Sequence, residues 1–316
     1  MDTAQRTRWT PSGRRRAPDG FPCARMPADI SVLGERSGMT RPSPSGRSPI
    51  HPVAHGFRAA ATRFEHGRPG YSAVAVGHLV EVLQITARST VVDLGAGTGK
   101  LTRELTPTGA RIIAVEPLSE MVHELLAAVP EVSVLGAVAE ALPLMTSSVD
   151  VLVAAQSWHW FDGTRALLEA DRVLVPGGRL GLVWSAYDAS IPWLAELASI
   201  RAGRAIPGAP DHRSGAWRAP FEADPRWRPL RQRNFRRIWT ASPEAVVDNV
   251  LSTSFLAVLP EEKQATVKDE VRRLLERHPC TRGRSHVRLP LLTQVYSTSK
   301  RDAGARRPPT APGLHL

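Results

Sequence analysis

Cysteine is scarce in this chain of 316 residues, which contains Cys23 and Cys280 and no other cysteine. Two distant cysteines provide neither a framework of disulfides nor the close pairs of a zinc site, so no metal site is predicted. Long apolar stretches are also missing, because no uncharged run approaches the ~20 residues of a membrane helix. The first residues, MDTAQRTRWT, lack a hydrophobic signal core. We therefore expect a cytoplasmic protein without a membrane partner.

Lysine is absent from residues 1–55, which contain nine arginines against four acidic residues. This segment and residues 299–316 carry most of the net charge of +11, and the remaining middle is close to neutral. Segments rich in Arg, Pro, Ser and Gly bury too little apolar surface to offset the entropy of ordering. Both ends are predicted to be disordered tails. Their basic character is compatible with nucleic-acid binding, but a solvated tail without a specific partner is the favoured interpretation.

Between residues 56 and 298, strand and helix patterns alternate. Five short apolar runs have strand character: VVDL (91–94), RIIAVEP (111–117), VSVLG (132–136), VDVLVAA (149–155) and RLGLVWS (179–185). Apolar strands separated by helices indicate a parallel sheet with both faces covered. Later strand patterns at 233–240 and 288–299 fit an antiparallel edge. The sequence thus predicts an α/β, Rossmann-like mixed sheet of seven strands with helices on both faces, and a helical cap at about 186–280.

A glycine-rich loop follows the first predicted strand and contains Asp93, Gly95, Ala96, Gly97 and Gly99. Glycine allows a tight turn and lets a ligand approach the backbone, and the following helix offers free N–H groups. Open α/β sheets bind ligands at this edge. The G-x-G-x-G spacing differs from the G-x-G-x-x-G of dinucleotide sites. Asp93 also suits an ammonium group better than a pyrophosphate. A plain glycine-rich turn is the alternative.

A second acid, Glu116, ends the second predicted strand 21 residues after Gly95. A carboxylate at this place accepts hydrogen bonds from ribose hydroxyls in adenosine-containing ligands. The alternative is a surface glutamate before Pro117. The loops after the third and fourth strands border the same crevice, and their candidate residues are Ala139, Glu140, Gln156, Ser157, Trp158, His159 and Trp160. His159 is a candidate general base, with a packing histidine as the alternative.

Five motifs resemble those of class I S-adenosylmethionine (SAM)-dependent methyltransferases, in particular the UbiE-like and trans-aconitate-methyltransferase-like group. They are VDLGAGTGKLT (92–102), VEP (115–117), AEALP (139–143), SWHWFD (157–162) and RVLVPGGRLGLVW (172–184). The resemblance extends over residues 57–297, and RPGY (68–71) resembles the N-terminal lid motif of that group. A methyltransferase domain over residues 56–298 is expected from it.

The resemblance implies SAM as the cofactor and assigns roles to the matched positions. Asp93 and the loop 95–99 would hold the amino-acid portion, and Glu116 would bind the ribose. Ala139 and Glu140 would border the adenine. Gln156 and Ser157 would lie near the sulfonium. Many relatives have an aspartate where this chain has Val138, so the adenine amine would need a backbone or neighbouring partner here, or the affinity would be lower.

The implied function is methyl transfer to a small or medium organic acceptor. Its candidate binding residues are Arg68, Tyr71, Trp158 and Trp160, and Phe64 is expected beside Arg68 and Tyr71 in the N-terminal lid. Arg68 would pair with an acidic acceptor or form a structural salt bridge. Two other functional classes stay open at this point. One is a nicotinamide-dependent oxidoreductase with the same crevice, and the other is a non-catalytic SAM-binding protein with a nucleic-acid-binding tail.

Overall fold

The computed structural model describes residues 50–204 and 208–301. The predicted tails fall outside these ranges over residues 1–49 and 302–316. Where they border the described part, the predicted boundaries differ from the structure. Pro52–His55 form a 3-10 helix, because the Nδ1 atom of His51 accepts the N–H of Val53 at 3.3 Å and Ala54 is buried. At the other end, the last strand ends at Ser299, as its pattern predicted, one residue beyond the expected domain end at 298.

The sheet has seven strands in the order β3-β2-β1-β4-β5-β7-β6. They are β1 (Thr90–Leu94), β2 (Arg111–Val115), β3 (Ser133–Leu135), β4 (Val149–Ala155), β5 (Leu174–Tyr187), β6 (Arg231–Ala241) and β7 (Val287–Ser299). The first five are parallel, and β7 is antiparallel to both β5 and β6. The predicted Rossmann-like mixed sheet is therefore confirmed.

Strand β5 begins five residues before the predicted start at Arg179. Leu174 already pairs with Val149, and the register shifts before Arg179 pairs with Val151. The segment Pro176-Gly177-Gly178, which precedes the predicted strand, therefore lies inside β5 as an irregularity. Beyond its last pair with β4, Val183 with Ala155, β5 continues to Tyr187.

Ten α-helices surround the sheet over the described residues. They are α1 (Gly56–Gly67), α2 (Ala73–Leu83), α3 (Lys100–Leu105), α4 (Ser119–Ala128), α5 (Gly163–Val173), α6 (Pro192–Ala202), α7 (Ala219–Ala223), α8 (Pro243–Leu251), α9 (Ser254–Ala257) and α10 (Glu261–Arg277). Successive strand side chains face opposite sides of a sheet. Val91 accordingly packs with α2 and α3, whereas Val92 packs with α5 and α7. None of these helices is long and apolar enough to cross a membrane.

The predicted cap has a hydrophobic core of its own, formed by α6, α8, α9 and α10. Trp193, Val246 and Leu274 are all at most 4% exposed in it. Strand β6 interrupts this region and joins the sheet edge, so residues 186–280 are not helical throughout. The helix pattern at 243–259 is also broken into α8 and α9. The hydroxyl of Ser252 donates to the carbonyl of Asn249 at 2.7 Å, and such a local bond competes with helix continuation.

Candidate active site

The glycine loop turns sharply at the carboxyl end of β1. Gly95, Gly97 and Gly99 all have positive φ angles, of 63°, 58° and 78°, which side chains other than glycine rarely adopt. The N–H of Gly95 donates to the carbonyl of Val115 at 2.8 Å, which ties the loop to the end of β2. A Cβ atom added at Gly97 would meet nothing within 4 Å. The backbone at Gly97 is therefore open to a ligand.

Two carboxylates are buried beside this loop. Asp93 is 1% exposed, and its Oδ2 accepts the hydroxyl of Thr102 at 2.7 Å. Its Oδ1 has no hydrogen-bond partner among the described residues. Glu116 accepts the N–H of Gly97 at 2.9 Å and the N–H of Leu118 at 3.0 Å. Burial raises the pKa of Asp93 to about 6 and that of Glu116 to about 7, against the effect of these hydrogen bonds.

A cavity opens over the loop and is lined by most of the predicted cofactor residues. These are Gly95, Ala96, Gly97, Glu116, Pro117, Ala139, Glu140, Gln156 and Ser157. Asp93 and Gly99 are not part of the lining, since Asp93 is fully buried and a Cβ at Gly99 would contact Leu125 at 3.0 Å. Val138, the position that departs from the family pattern, also lines the cavity.

Of the predicted acceptor-binding residues, Arg68, Tyr71 and Trp160 line the same cavity, but Trp158 does not. The ring of Trp158 is 1% exposed and lies 5.1 Å from the ring of Phe221, in the main core. Trp158 therefore lies in the core and not on the cavity wall, unlike the other three predicted acceptor-binding residues. The cause is the 3-10 turn Trp158–Trp160, in which residues two apart project in different directions.

His159 does not line the cavity either. Its Nδ1 accepts the indole N–H of Trp184 at 3.2 Å, and its ring lies 5.9 Å from the ring of His212. Burial lowers the pKa of His159 to about 3, so the ring is neutral and a poor proton acceptor at neutral pH. The position of His159 favours the packing alternative over the role of general base.

The sequence prediction included Phe64 in the N-terminal part of the cavity wall but missed His51 and Phe57. The ring of Trp160 contacts His51 at 5.8 Å and Phe57 at 5.7 Å between centroids. Phe64, two helical turns after Phe57 on α1, lines the cavity as well. The available signal was the spacing of Phe57, Ala61 and Phe64, three to four residues apart, which is typical of one helix face.

Helix α1 is bonded to the glycine loop through Glu65. One carboxylate oxygen of Glu65 accepts the hydroxyl of Thr98 at 2.7 Å and lies 3.1 Å from the Nζ of Lys100. The other accepts from Arg103 at 3.2 Å. These bonds lower the pKa of Glu65, although burial raises it. Because Lys100 also lines the cavity, its charge is compensated within the wall.

The cap supplies the far wall of the cavity with Tyr187, Arg201 and Asn249. The hydroxyl of Tyr187 donates to Oδ1 of Asn249, and the amide of Asn249 donates to the carbonyl of Gly67 at 2.9 Å. The guanidinium of Arg201 lies 6.0 Å from the Tyr187 ring. None of these three side chains was predicted from the sequence, because only the folding of the cap over the sheet brings them to the site.

Comparison with known proteins gives the family. A methyltransferase-domain model matches residues 92–182. An uncharacterized methyltransferase of Mycobacterium tuberculosis is 38% identical over 239 residues, which cover 75% of this chain and 92% of that protein. An uncharacterized methyltransferase-like protein of Schizosaccharomyces pombe is 32% identical over 248 residues, 78% of this chain and 96% of that protein.

The chain belongs to the class I SAM-dependent methyltransferases. A solved putative type II methyltransferase from Anaeromyxobacter dehalogenans has the same fold, with a TM-score of 0.56 and 24% identity over 74% of this chain and 97% of that one. The methyltransferase therefore uses SAM as its cofactor, and the oxidoreductase alternative is excluded. Assignment to the UbiE-like group stays a prediction.

The residues present fit this cofactor. The unpartnered Oδ1 of Asp93 is a buried acceptor that lacks a donor among the described residues, and leaving it so costs free energy. The open backbone at Gly97 leaves room above the loop, and Glu116 lies on the same wall. An adenosine ligand would supply hydroxyl donors to Glu116 on the cavity wall, and an ammonium group beside the loop would supply a donor to Asp93 behind it.

Proposed function

We propose that the methyltransferase transfers the methyl group of SAM to a small or medium organic acceptor bound in this cavity. The proposal rests on the observation that a single cavity has two kinds of wall, a cofactor wall and an acceptor wall. The glycine loop and the ends of β2 and β4 form one wall, with Gly97, Glu116 and Gln156. The opposite wall contains Arg68 from the segment after α1 and Tyr187 from the end of β5.

For the cofactor wall, the proposed roles follow the predicted ones. Asp93 and the loop 95–99 hold the amino-acid portion, Glu116 binds the ribose, and Ala139 with Glu140 borders the adenine. Gln156 and Ser157 border the reacting centre. Their geometry supports this, because Gln156 Nε2 donates to the carbonyl of Ser185 at 2.7 Å and Ser157 Oγ donates to that of Leu94 at 2.7 Å. These bonds tie the segment after β4 to the ends of its two neighbours in the sheet, β1 and β5.

The chain's contribution to the reaction is positioning and exclusion of water. SAM supplies a methyl group that its positively charged sulfur has already activated. Alignment of reacting groups can contribute up to about 7–11 kcal/mol in favourable cases. The rings of Phe57, Phe64 and Trp160 form an apolar wall that keeps water from the acceptor. His159 has no place in this mechanism as a base. A cytoplasmic location stays a prediction based on the scarcity of cysteine.

Calorimetry tests the cofactor part of the proposal. S-adenosylhomocysteine, the demethylated product, should bind the purified protein with measurable heat, and NADH should not. Glu116→Gln should weaken that binding at least tenfold, because a carboxylate acceptor for the ribose hydroxyls is lost, whereas the exposed Glu276→Gln should not change it. Absence of heat for both SAM and its product at millimolar concentration would refute the proposal. A radiolabelled-methyl screen over carboxylates, quinols and phenols then identifies the acceptor.

A further inference from the structure

Two arginines, Arg68 and Arg201, face the acceptor half of the cavity. Arg68 donates from Nε to the hydroxyl of Ser252 at 3.0 Å, and its guanidinium lies 4.1 Å above the ring of Phe64. Arg201 lies in the last turn of α6, beside the ring of Tyr187. The partners of both guanidinium groups are thus neutral side chains, and their remaining N–H donors can serve a ligand.

Neither arginine has a carboxylate within 4.0 Å over residues 50–204 and 208–301. Elsewhere in that part of the chain such pairs are common, for example Arg204 with Glu270 at 2.6 Å. The charge of Asp211 acts on Arg201 through space, but the Asp211 carboxylate is bound by Arg213 at 2.7 Å. The two cavity arginines therefore carry positive charge that no described side chain neutralises at contact.

The two charges also act on each other. Burial, and after it the positive charge of Arg201, lowers the pKa of Arg68 to about 10. Both guanidinium groups are partly buried and line the same cavity, so its wall carries two like charges. Such an arrangement is costly unless an anion compensates it. The cavity wall also contains the carboxylates Glu116 and Glu140 on the cofactor side, but neither lies within 4.0 Å of Arg68 or Arg201 in the described part of the chain.

We propose that Arg68 and Arg201 form an anion-binding subsite that selects methyl acceptors carrying a carboxylate group. The planar edge of a guanidinium matches a carboxylate in a bidentate pair. Phosphates are typically held by free backbone N–H groups at helix N-termini as well. Arg68 follows the C-terminal end of α1, and Arg201 lies at that of α6, so the subsite lacks those donors. A carboxylate fits this donor set better than a phosphate.

This inference rests on the proposed function, and the binding of organic acids to the product-loaded enzyme tests it. The protein is saturated with S-adenosylhomocysteine, and saturation-transfer NMR is recorded with a panel of probes. The panel contains phenylacetate, 3-phenylpropionate, succinate and itaconate, the corresponding amides, and phenyl phosphate. We expect at least one acid to bind at least tenfold more tightly than both its amide and phenyl phosphate.

The variant Arg201→Gln keeps hydrogen-bond donors but removes the charge, so it should weaken acid binding at least tenfold. It should leave amide binding and the affinity for S-adenosylhomocysteine unchanged. The matched control is Arg204→Gln, at the same end of the cap helix but paired with Glu270, and it should retain acid binding. Arg68→Gln is a weaker test, because Arg68 also joins α1 to α8 through Ser252.

Two results would overturn the inference. One is a panel in which no acid binds better than its amide and phenyl phosphate. The other is equal acid binding by Arg201→Gln and Arg204→Gln. Normal affinity for S-adenosylhomocysteine in those experiments would leave the proposed methyl transfer intact. Loss of that affinity in the unmodified protein would instead refute the proposed function itself.

Discussion

The buried carboxylate of Asp93 should destabilise the ligand-free enzyme above its own pKa. Burial raises the pKa of Asp93 from 3.8 to about 6. The folded state therefore binds the proton more tightly than the unfolded state does. Below about pH 4 the Asp93 carboxyl is protonated in both the folded and the unfolded state, so its burial carries no charge penalty. The free energy of unfolding then falls as the pH rises from 3.8 to about 6. A shift of roughly 2 units corresponds to about 3 kcal/mol as an upper bound.

Replacing Asp93 with Asn removes this titration. The free energy of unfolding of ligand-free D93N, measured by urea denaturation from pH 4 to 8, should lose the part of the pH slope that falls between pH 4 and 6. At pH 7.5, D93N should gain about 1–2 kcal/mol in free energy of unfolding. This is less than the upper bound from the pKa shift, because the Asn amide brings two N–H donors into the same buried place. The slope is therefore the decisive quantity.

The exposed Asp269→Asn on α10 serves as the control and should keep the full slope. D93N should also bind S-adenosylhomocysteine at least tenfold more weakly, so that one substitution flattens the stability profile and impairs the site. An unchanged pH slope in D93N would refute the argument that burial, rather than the hydrogen bond from Thr102, dominates the state of Asp93.

Three further substitutions separate the walls of the cavity. His159→Gln should leave turnover at saturating SAM within about twofold, because His159 does not line the cavity; a loss of a hundredfold would restore it as a base. Trp160→Ala should raise the KM for the acceptor while the affinity for S-adenosylhomocysteine stays unchanged, and the reverse pattern would contradict its place on the acceptor side. Glu65→Gln should lower the free energy of unfolding by about 1–2 kcal/mol, because Lys100 loses its ion-pair partner and keeps only its hydrogen bond to the backbone carbonyl of residue 65; unchanged urea denaturation would contradict this.

The parts of the site that the sequence predicted are those set by local backbone geometry. Gly95, Gly97 and Gly99 follow a buried strand, and their positive φ angles need no distant contact to be inferred. Glu116 is placed by the end of β2 alone. The strands were predictable for a similar reason, since both faces of β1 are covered and its residues are apolar throughout, apart from Asp93 and Thr90.

Residues placed by tertiary packing were not predictable in the same way. Nothing in the letters WHW distinguishes Trp160, which lines the cavity, from Trp158, which joins the core. Arg201 lies on α6, and its position over the cavity depends on how the cap core around Trp193 packs. The start of the folded part was set too late, because the composition of residues 1–55 masked the contact between His51 and Trp160.

The C-terminal end of helix α1 is hydrogen-bonded both to the glycine loop and to the cap. Near its C-terminal end, Glu65 accepts a hydrogen bond from Thr98 in the glycine loop. Three residues later, Arg68 donates to Ser252 of the cap at 3.0 Å, and the carbonyl of Gly67 accepts from Asn249. The cofactor wall and the acceptor wall are thus bonded to one short segment. Because a methyl transfer depends on aligning groups held by opposite walls, the rigidity of this segment is a condition for catalysis.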